Sequence, residues 1–394
     1  MDRAVEESVM KSIAIVIPTF KSFDLTKKHL KLLKKQTCKN FDVIIAESGE
    51  SNDYIKLSKL KLPFKLKLAY AKEDTGACDS FYRGFKLAYT SGYKYIMLAD
   101  NDTLPSSENM IEELIKRCTE DTATVPLNYR EKEGFKENTT KIMATSYHYL
   151  TLSSVMIDKI GSPVGNVFMY WDDVEYSTRI SKNFTLLQLN YVYFNHRIGM
   201  QVFFDEVLQL RNIYYNTRNS IHLSRSKMQK IKFALISITL LLPIATLMYK
   251  SKDAFIYLHY HLKGIWDGML GRTGKISIPK LEYRAEFIET KKLPRNIVYL
   301  TYQEHNKTLP ILSTVNLKAG NVVFNFTKYG LNDFKLFKWF FSFKVLVVDD
   351  LITERYCSLR LLPFVLYRKV FITSGNKIWQ VKFCAAHKRI SSNL

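Results

Sequence analysis

Apolar runs and amphipathic stretches alternate along the first half of the chain. The stretch Ser12–Ile17 (SIAIVI) is a continuous apolar run stopped by Pro18, which predicts a buried parallel strand ending in a loop. Leu25, Leu30, Leu32 and Leu33, set among Lys27, Lys28, Lys31, Lys34 and Lys35, predict a helix with a basic solvent face. Strands follow at Phe41–Ala46, near Leu66–Ala71 and at Tyr95–Ala99, with a helix over about Asp79–Tyr89 between the last two. Beyond them come a helix (about Ser107–Cys118), a strand at Thr122–Pro126, a polar loop EKEGFKENTTK with the look of a mobile segment, a helix at Asp173–Ser181 and a strand at Phe184–Tyr193. This alternation is the signature of an α/β domain with a largely parallel sheet.

The second half reads differently. Residues 233 to 249 form 17 residues without a charge, flanked by Lys230 and Lys232 before and by Lys250 and Lys252 after. Spanning a bilayer takes roughly 20 residues, and Pro243 would bend the segment, so a core helix, an in-plane membrane helix and a short span all fit. Phe255, Leu258, Leu262, Ile265 and Trp266 then recur at helical spacing with Lys263, Arg272 and Lys275 nearby, as in an interfacial amphipathic helix. From about Leu281, the runs NIVYLTY, NVVFNF, KVLVVDD, KVFITS and KIWQVKF predict strands of another domain, with a helix-like segment Glu354–Leu366 suggesting a βαβ unit. The domain reading is therefore 1–210, 211–280 and 281–394.

Composition sharpens this division. Of 394 residues, 47% are apolar and 24% charged, which excludes disordered and collagen-like chains. The net charge of +21 is concentrated in the back half: residues 1–210 carry 28 basic and 27 acidic side chains, residues 211–394 carry 30 and 10. A near-neutral front with a strongly basic back fits a catalytic domain joined to a region that meets an anionic partner, either membrane lipid or nucleic acid. No nucleic-acid motif is present, so membrane lipid is the expected partner. Five scattered cysteines without a CxxC pair, and an N-terminus without a signal-peptide pattern, point to a reducing, cytoplasmic setting.

The segment YIMLADNDTLP runs a hydrophobic strand directly into Asp100, Asn101 and Asp102. Alternate carboxylates at a strand's carboxyl end can share a cation that holds a diphosphate, although the same triplet also suits a polar turn. Its company narrows the choice. IAIVIPTF at the first strand, an acid after the second strand, TGACDSFYRGF ahead of the DND strand and MYWDDVEYSTRI downstream occur in one order.

In these motifs, over about residues 12 to 275, the sequence resembles the GT-A glycosyltransferases of family 2, among them the bacterial and archaeal galactofuranosyl- and rhamnosyltransferases. The resemblance implies a mixed, mostly parallel GT-A sheet flanked by helices, followed by membrane-associated helices and a small β-rich or α/β C-terminal domain. It implies that Pro18, Thr19 and Phe20 border the nucleotide and that Glu47 stands where the family usually has an Asp contacting the base. Glu47 and the following Ser48-Gly49-Glu50 depart from the usual pattern, which leaves the base open. Arg83 would contact the diphosphate, or else be a surface helix cation. Asp100, Asp102 and His196 carry over as ligands of a divalent cation, Mn²⁺ or Mg²⁺. Asp173 carries over as the catalytic base, with Trp171 and Asp172 on the acceptor side; as plain structure, the two acids would be helix caps. YYNTRNSIHL and GIWDGMLGRTGK resemble further segments of these relatives, with Gly264, Asp267, Gly268, Gly271 and Arg272 shaping a helix end.

The implied activity is inverting transfer of a sugar from a UDP-galactofuranose or dTDP-rhamnose type of donor to a lipid-linked or cell-surface glycan. It would take place at the inner face of the cell membrane, on a peripheral or monotopic enzyme with a polyprenyl-linked or glycan acceptor. The competing expectation is a non-catalytic basic binding protein on the same scaffold.

Overall fold

The computed structural model describes residues 12–50, 52–129, 138–196, 210–224, 226–239 and 254–279, together with the strand residues 283–290, 298–301, 322–325, 345–349, 369–374 and 377–385. The chain divides into two units. The first comprises Met1–Arg197 and Thr273–Lys275, the second Ile198–Arg272 and Ile276–Leu394.

The first unit is a three-layer α/β structure. Its elements in chain order are β1 (Ile13–Thr19), α1 (Phe23–Leu33), β2 (Phe41–Ser48), α2 (Asp53–Leu57), β3 (Leu66–Ala71), α3 (Gly76–Thr90), β4 (Tyr95–Ala99), β5 (Thr103–Pro105), α4 (Met110–Arg117), β6 (Thr122–Asn128), β7 (Thr139–Lys141), β8 (His148–Ser153), α5 (Ser154–Ile160), α6 (Asp172–Asn183) and β9 (Thr185–His196). The sheet order is β3-β2-β1-β4-β8-β6-β9-β5, with β7 also on β9. Parallel pairing runs from β3 through β2 and β1 to β4 and recurs between β6 and β9. The contacts β4–β8, β6–β8, β5–β9 and β7–β9 are antiparallel. The sheet is thus mixed, and the expected mostly parallel character belongs to its first half.

Strand periodicity explains the layers. Ala14, Val16, Ile44, Ala46, Ile96 and Leu98 face Phe81 and Phe85 of α3, Met156 and Ile157 of α5, and Tyr176 and Ile180 of α6. Their neighbours Ile13, Ile15, Ile17, Val43, Ile45 and Met97 point the other way, into Leu30 and Leu33 of α1 and Met110, Ile111 and Leu114 of α4. All are buried, each aliphatic side chain contributing about 1.5–3 kcal/mol relative to exposure. The hydrophobic pattern did not reveal β8 or α5. β8 alternates apolar residues with a buried Thr151, and α5 is only one or two turns long, started by the Ser153 hydroxyl accepting the Met156 N–H at 3.2 Å. The polar loop ends in β7; its residues 131–137 lie outside the described residues.

In the second unit, α7 (Leu210–His222), α8 (Lys227–Thr239) and α9 (Ala254–Met269) pack together. Around buried Asp267, Tyr214 Oη at 2.7 Å, Lys263 Nζ at 2.7 Å and Arg272 at 3.0 Å all donate to the carboxylate. Burial alone would push this acid up, but those partners hold it below its ordinary range. The uncharged run contributes α8 as far as Thr239, and its remainder lies outside the described residues; among the described residues no helix is long and apolar enough to cross a membrane. The C-terminal strands β10 (Tyr283–Thr290), β11 (Val298–Thr301), β12 (Val322–Asn325), β13 (Val345–Asp349), β14 (Lys369–Ser374) and β15 (Lys377–Ala385) form a sheet in the order β10-β15-β14-β13-β11-β12. β13 and β14 are parallel, as a βαβ unit requires, while the Glu354–Leu366 segment between them lies outside the described residues.

Helix α3 approaches the sheet closely at Gly84. A Cβ there would lie 2.4 Å from Val16 Cγ1 and 3.2 Å from Ala46 Cβ. On an open helix Gly→Ala gains up to about 1 kcal/mol, but here overpacking costs about 1–3 kcal/mol. Gly84→Ala is therefore expected to lower the thermal midpoint; a stabilised variant would contradict this packing.

Candidate active site

The chemistry-bearing residues gather at the carboxyl ends of β1, β2 and β4. β4 releases the chain into Asp100, whose N–H donates to the Tyr147 carbonyl at 2.9 Å and whose own carbonyl accepts from Thr103 N–H at 3.1 Å. This turn presents Asn101 to the β1 loop. Its side-chain amide donates to Ser22 Oγ at 2.7 Å, and its carbonyl meets His29 Nδ1 at 3.2 Å. Because a carbonyl only accepts, Nδ1 must carry the proton, and His29 Nε2 then accepts the Tyr149 hydroxyl. Burial lowers the His29 pKa to about 4, outweighing the Asn101 carbonyl, which keeps the ring neutral.

The β1 loop is braced from the other side by Asp53. One of its oxygens accepts from Ser22 N–H at 2.8 Å and from Thr19 Oγ1 at 3.2 Å. Phe20 is exposed, and Pro18 stands in β1 opposite Ala46. A cavity of about 600 Å³ opens beside this loop, lined in part by Lys21, Ser22, Glu50, Asp53 and Lys56; Asp100, Asp102 and Asp173 are not in its wall.

Two expected donor-binding residues are occupied elsewhere. Glu47 is buried, and its two oxygens accept the N–H groups of Asp53 (2.7 Å) and Tyr54 (3.1 Å), the first turn of α2. It holds that helix rather than presenting its carboxylate to a base. All five Arg83 N–H donors are taken up: Nε by Asp79, Nη1 by the carbonyls of Ala69 and Glu47, and Nη2 by the Glu47 carbonyl and Ser80 Oγ. Arg83 ties α3 to β2 and β3, with no N–H left for a diphosphate.

The acidic cluster is completed by α6. Phe168, Tyr170 and Trp171 all hold positive φ (69°, 68° and 74°), a costly sequence of left-handed residues that swings Asp172 and Asp173 to the helix start. Trp171 is half-buried. Asp173 accepts from the Val174 N–H at 2.7 Å. Asp172 is buried against the Cys78 thiol, and its Oδ2 has no hydrogen-bond partner among the described residues.

The acids feel one another. Asp100 is pushed well above the usual carboxylate range, first by burial and then by the charges of Asp102, Asp173 and Asp172. Asp173 is raised by burial despite the Val174 amide and Ser146. On the far side β5 pairs with β9, placing His196 Nε2 3.0 Å from Asp102 Oδ2. Burial works to raise Asp102, but the His196 bond and the charges of His196 and His148 bring it below its ordinary value. The ring of His148, from β8, lies tilted by 42° against that of His196 with centroids 5.1 Å apart, and burial lowers its pKa to about 3.

Among the described residues, no three His, Cys, Asp or Glu side chains are assembled to hold a metal ion. The donor chemistry nonetheless suits a hard or borderline divalent cation: several carboxylates lie at a buried rim, with an imidazole on one of them. Asp100, Asp102, Asp172, Asp173 and His196 are thus brought together, while Glu47 and Arg83 serve the framework. His29, Asp53, Cys78 and the adjacent Tyr147 and His148 carry no spacing signal in the chain, since they reach the site from four separate stretches.

Residues 14–174 match the model of Glycosyl transferase family 2. The matched stretch runs from β1 into α6, includes Asp100, Asp102, Asp172 and Asp173, and stops before His196. No curated protein matches the chain. Among solved structures, it is similar to the mannosyltransferase PcManGT from Pyrobaculum calidifontis in complex with GDP-Man and Mn2+, at 10% identity over 66% of this chain and 86% of that one, with a TM-score of 0.44. It is also similar to S. aureus TarS 1-349 in complex with UDP-GlcNAc, at 13% identity over 65% and 89%, with a TM-score of 0.41.

The raised Asp172 pKa has a signed consequence for stability. Burial, with the charge of Asp173, lifts it from 3.8 to about 7, so the folded chain binds this proton more tightly than the unfolded chain. Its contribution is full below the unfolded value and is lost as pH rises through about 7. Asp172→Asn is expected to flatten the fall of the thermal midpoint between about pH 4 and pH 7 and to gain on the wild type above that window. An unchanged slope in a pH series of melting curves would count against a buried, titrating Asp172.

Proposed function

We propose that the chain is a family 2 glycosyltransferase that transfers a sugar from a nucleotide-diphosphate donor to an acceptor hydroxyl with inversion. The observation that carries this reading is the gathering of Asp100, Asp102, Asp172, Asp173 and His196 at the carboxyl rim of the sheet, within the stretch that matches the family or just beyond it. Phe20 and the loop after β1 border the nucleotide. Asp173, its basicity raised by burial, takes the proton from the acceptor hydroxyl, with Trp171 and Asp172 on the acceptor side. The freed oxygen attacks the anomeric carbon in line with the departing diphosphate, which requires positioning and charge stabilisation rather than a covalent intermediate. Asp100, Asp102 and His196 would hold a divalent cation, Mn²⁺ or Mg²⁺, which neutralises the leaving diphosphate when bound. The neutral His29 and the Asn101–Ser22 bond keep the DND turn fixed against the β1 loop.

The donor is of the UDP-galactofuranose or dTDP-rhamnose type, and the acceptor is a lipid-linked or surface glycan. A panel of UDP-, dTDP- and GDP-sugars with Mn²⁺ or Mg²⁺ tests this by nucleotide release and by the anomeric configuration of the product. Release with one donor class and an inverted product are expected. Asp173→Asn should reduce turnover by at least about 100-fold, the scale of a lost general base. Retained configuration, or wild-type turnover in the variant, would refute the mechanism.

The acceptor reading places the second unit on an anionic membrane surface at the inner face of the cell membrane. Two exposed apolar stripes support it: Leu262, Trp266 and Met269 on α9 with Leu270 just after it, and Met228, Ile231 and Leu235 on α8, the latter beside exposed Lys227 and Lys232. Each basic residue near an anionic leaflet contributes about 1 kcal/mol, and tryptophan favours the interface. Sedimentation with anionic vesicles should carry the protein down, and Trp266→Glu with Leu270→Glu should release it. Equal recovery in the supernatant with anionic and neutral vesicles would remove this part of the proposal.

A further inference from the structure

We propose that Lys275 is a diphosphate-binding residue, supplied to the first unit by a segment far along the chain. This rests on the nucleotide-diphosphate donor reading above. Thr273–Lys275 belongs to the first unit, although the chain on both sides of it belongs to the second. Gly274 N–H donates to the Asn166 carbonyl at 2.9 Å, which fixes the backbone beside the segment leading to α6. Lys275 Nζ then lies 3.0 Å from Asp74 Oδ2 and 5.6 Å from the centre of the Phe168 ring.

Both neighbours mark the rim. Asp74, in the turn between β3 and α3, approaches the end of β2: a Cβ on Gly49 would lie 3.9 Å from its Cβ and 2.9 Å from the Phe20 ring. Phe168 accepts the Cys78 N–H through its carbonyl at 3.2 Å, and the Cys78 thiol contacts Asp172. Lys275 thus stands, through Asp74, beside the end of β2 and the loop that borders the nucleotide, and, through Phe168, on the segment that leads to the α6 acids. Its side chain is 54% exposed, so two of the three ammonium protons can turn outward while Asp74 holds the third.

The site needs such a cation. A diphosphate brought to the rim meets a surplus of carboxylates, and Arg83, the arginine expected to receive it, has every N–H engaged in the framework. Lys275 carries a mobile point charge, the form in which lysine recognises phosphate. Asp74 serves as its positioning residue, keeping the ammonium at the rim before the nucleotide arrives.

Calorimetric titration of the full chain with UDP, dTDP and GDP, and with the matching nucleosides, tests this. Lys275→Ala and Lys275→Gln are expected to weaken diphosphate binding by about tenfold or more, as for a lost charge-assisted hydrogen bond, with nucleoside affinity unchanged. Lys275→Arg should restore most of the loss, and Asp74→Asn should bind the diphosphate within a few-fold of wild type. Unchanged diphosphate affinity in Lys275→Ala overturns the inference and leaves the donor reading standing. Equal losses for diphosphate and nucleoside, or an Asp74→Asn defect as large as that of Lys275→Ala, also overturn it by making the ion pair a tether. A wild-type chain that binds none of the three diphosphates overturns the donor reading and this inference together.

Discussion

Burial of several carboxylates at one rim of the sheet is the constraint on which the first unit's site depends. Burial raises the proton affinity of Asp100, Asp172 and Asp173 at the rim of the sheet, with Asp173 adding to the rise at Asp172 and the neighbouring acids adding to the rise at Asp100, while Asp102 has imidazole relief. Holding such groups together is costly unless something charged completes them, and the surrounding framework is built to bear that cost. The left-handed run through Phe168, Tyr170 and Trp171 brings the α6 acids in. The neutral His29, clamped between Tyr149 and Asn101, fixes the DND turn from behind.

The second unit solves an opposite problem. A single buried acid, Asp267, is surrounded by Lys263 and Arg272, and fully buried Arg218 lies over the faces of Tyr214 and Tyr215. The contact that ties α7 to α9 is the hydroxyl of Tyr214, which donates to Asp267 at 2.7 Å. The apolar side chains of α8 and α9 that find no place in that packing are the ones left facing outward.

Much of the fold was legible because strands buried on both faces are written as continuous apolar runs. β1, β2, β4 and the helix between β3 and β4 fall where the periodicity puts them. β8 escaped notice because its place in the middle of the sheet comes from pairing with β4 and β6, which a polar-flecked six-residue stretch does not announce. At the site, Asp100, Asp102 and the Asp172–Asp173 pair were readable from motif and order. The employment of Glu47 and Arg83 was not, since a carboxylate or guanidinium at a given position looks the same whether it faces a ligand or a backbone group.

The chain itself determined the α/β class, the acidic turn after β4, the acids at the start of α6 and the contrast between a neutral front and a basic back. Those are properties of local spacing and composition. Tertiary structure alone decided that His148 lies against His196, that His29 stands behind Asn101, that Arg83 is spent on carbonyls and that Lys275 rejoins the rim from 201 residues beyond Asp74. Each depends on which elements become neighbours across the sheet, and contacts between distant segments follow from packing the whole, leaving no period or motif in the sequence.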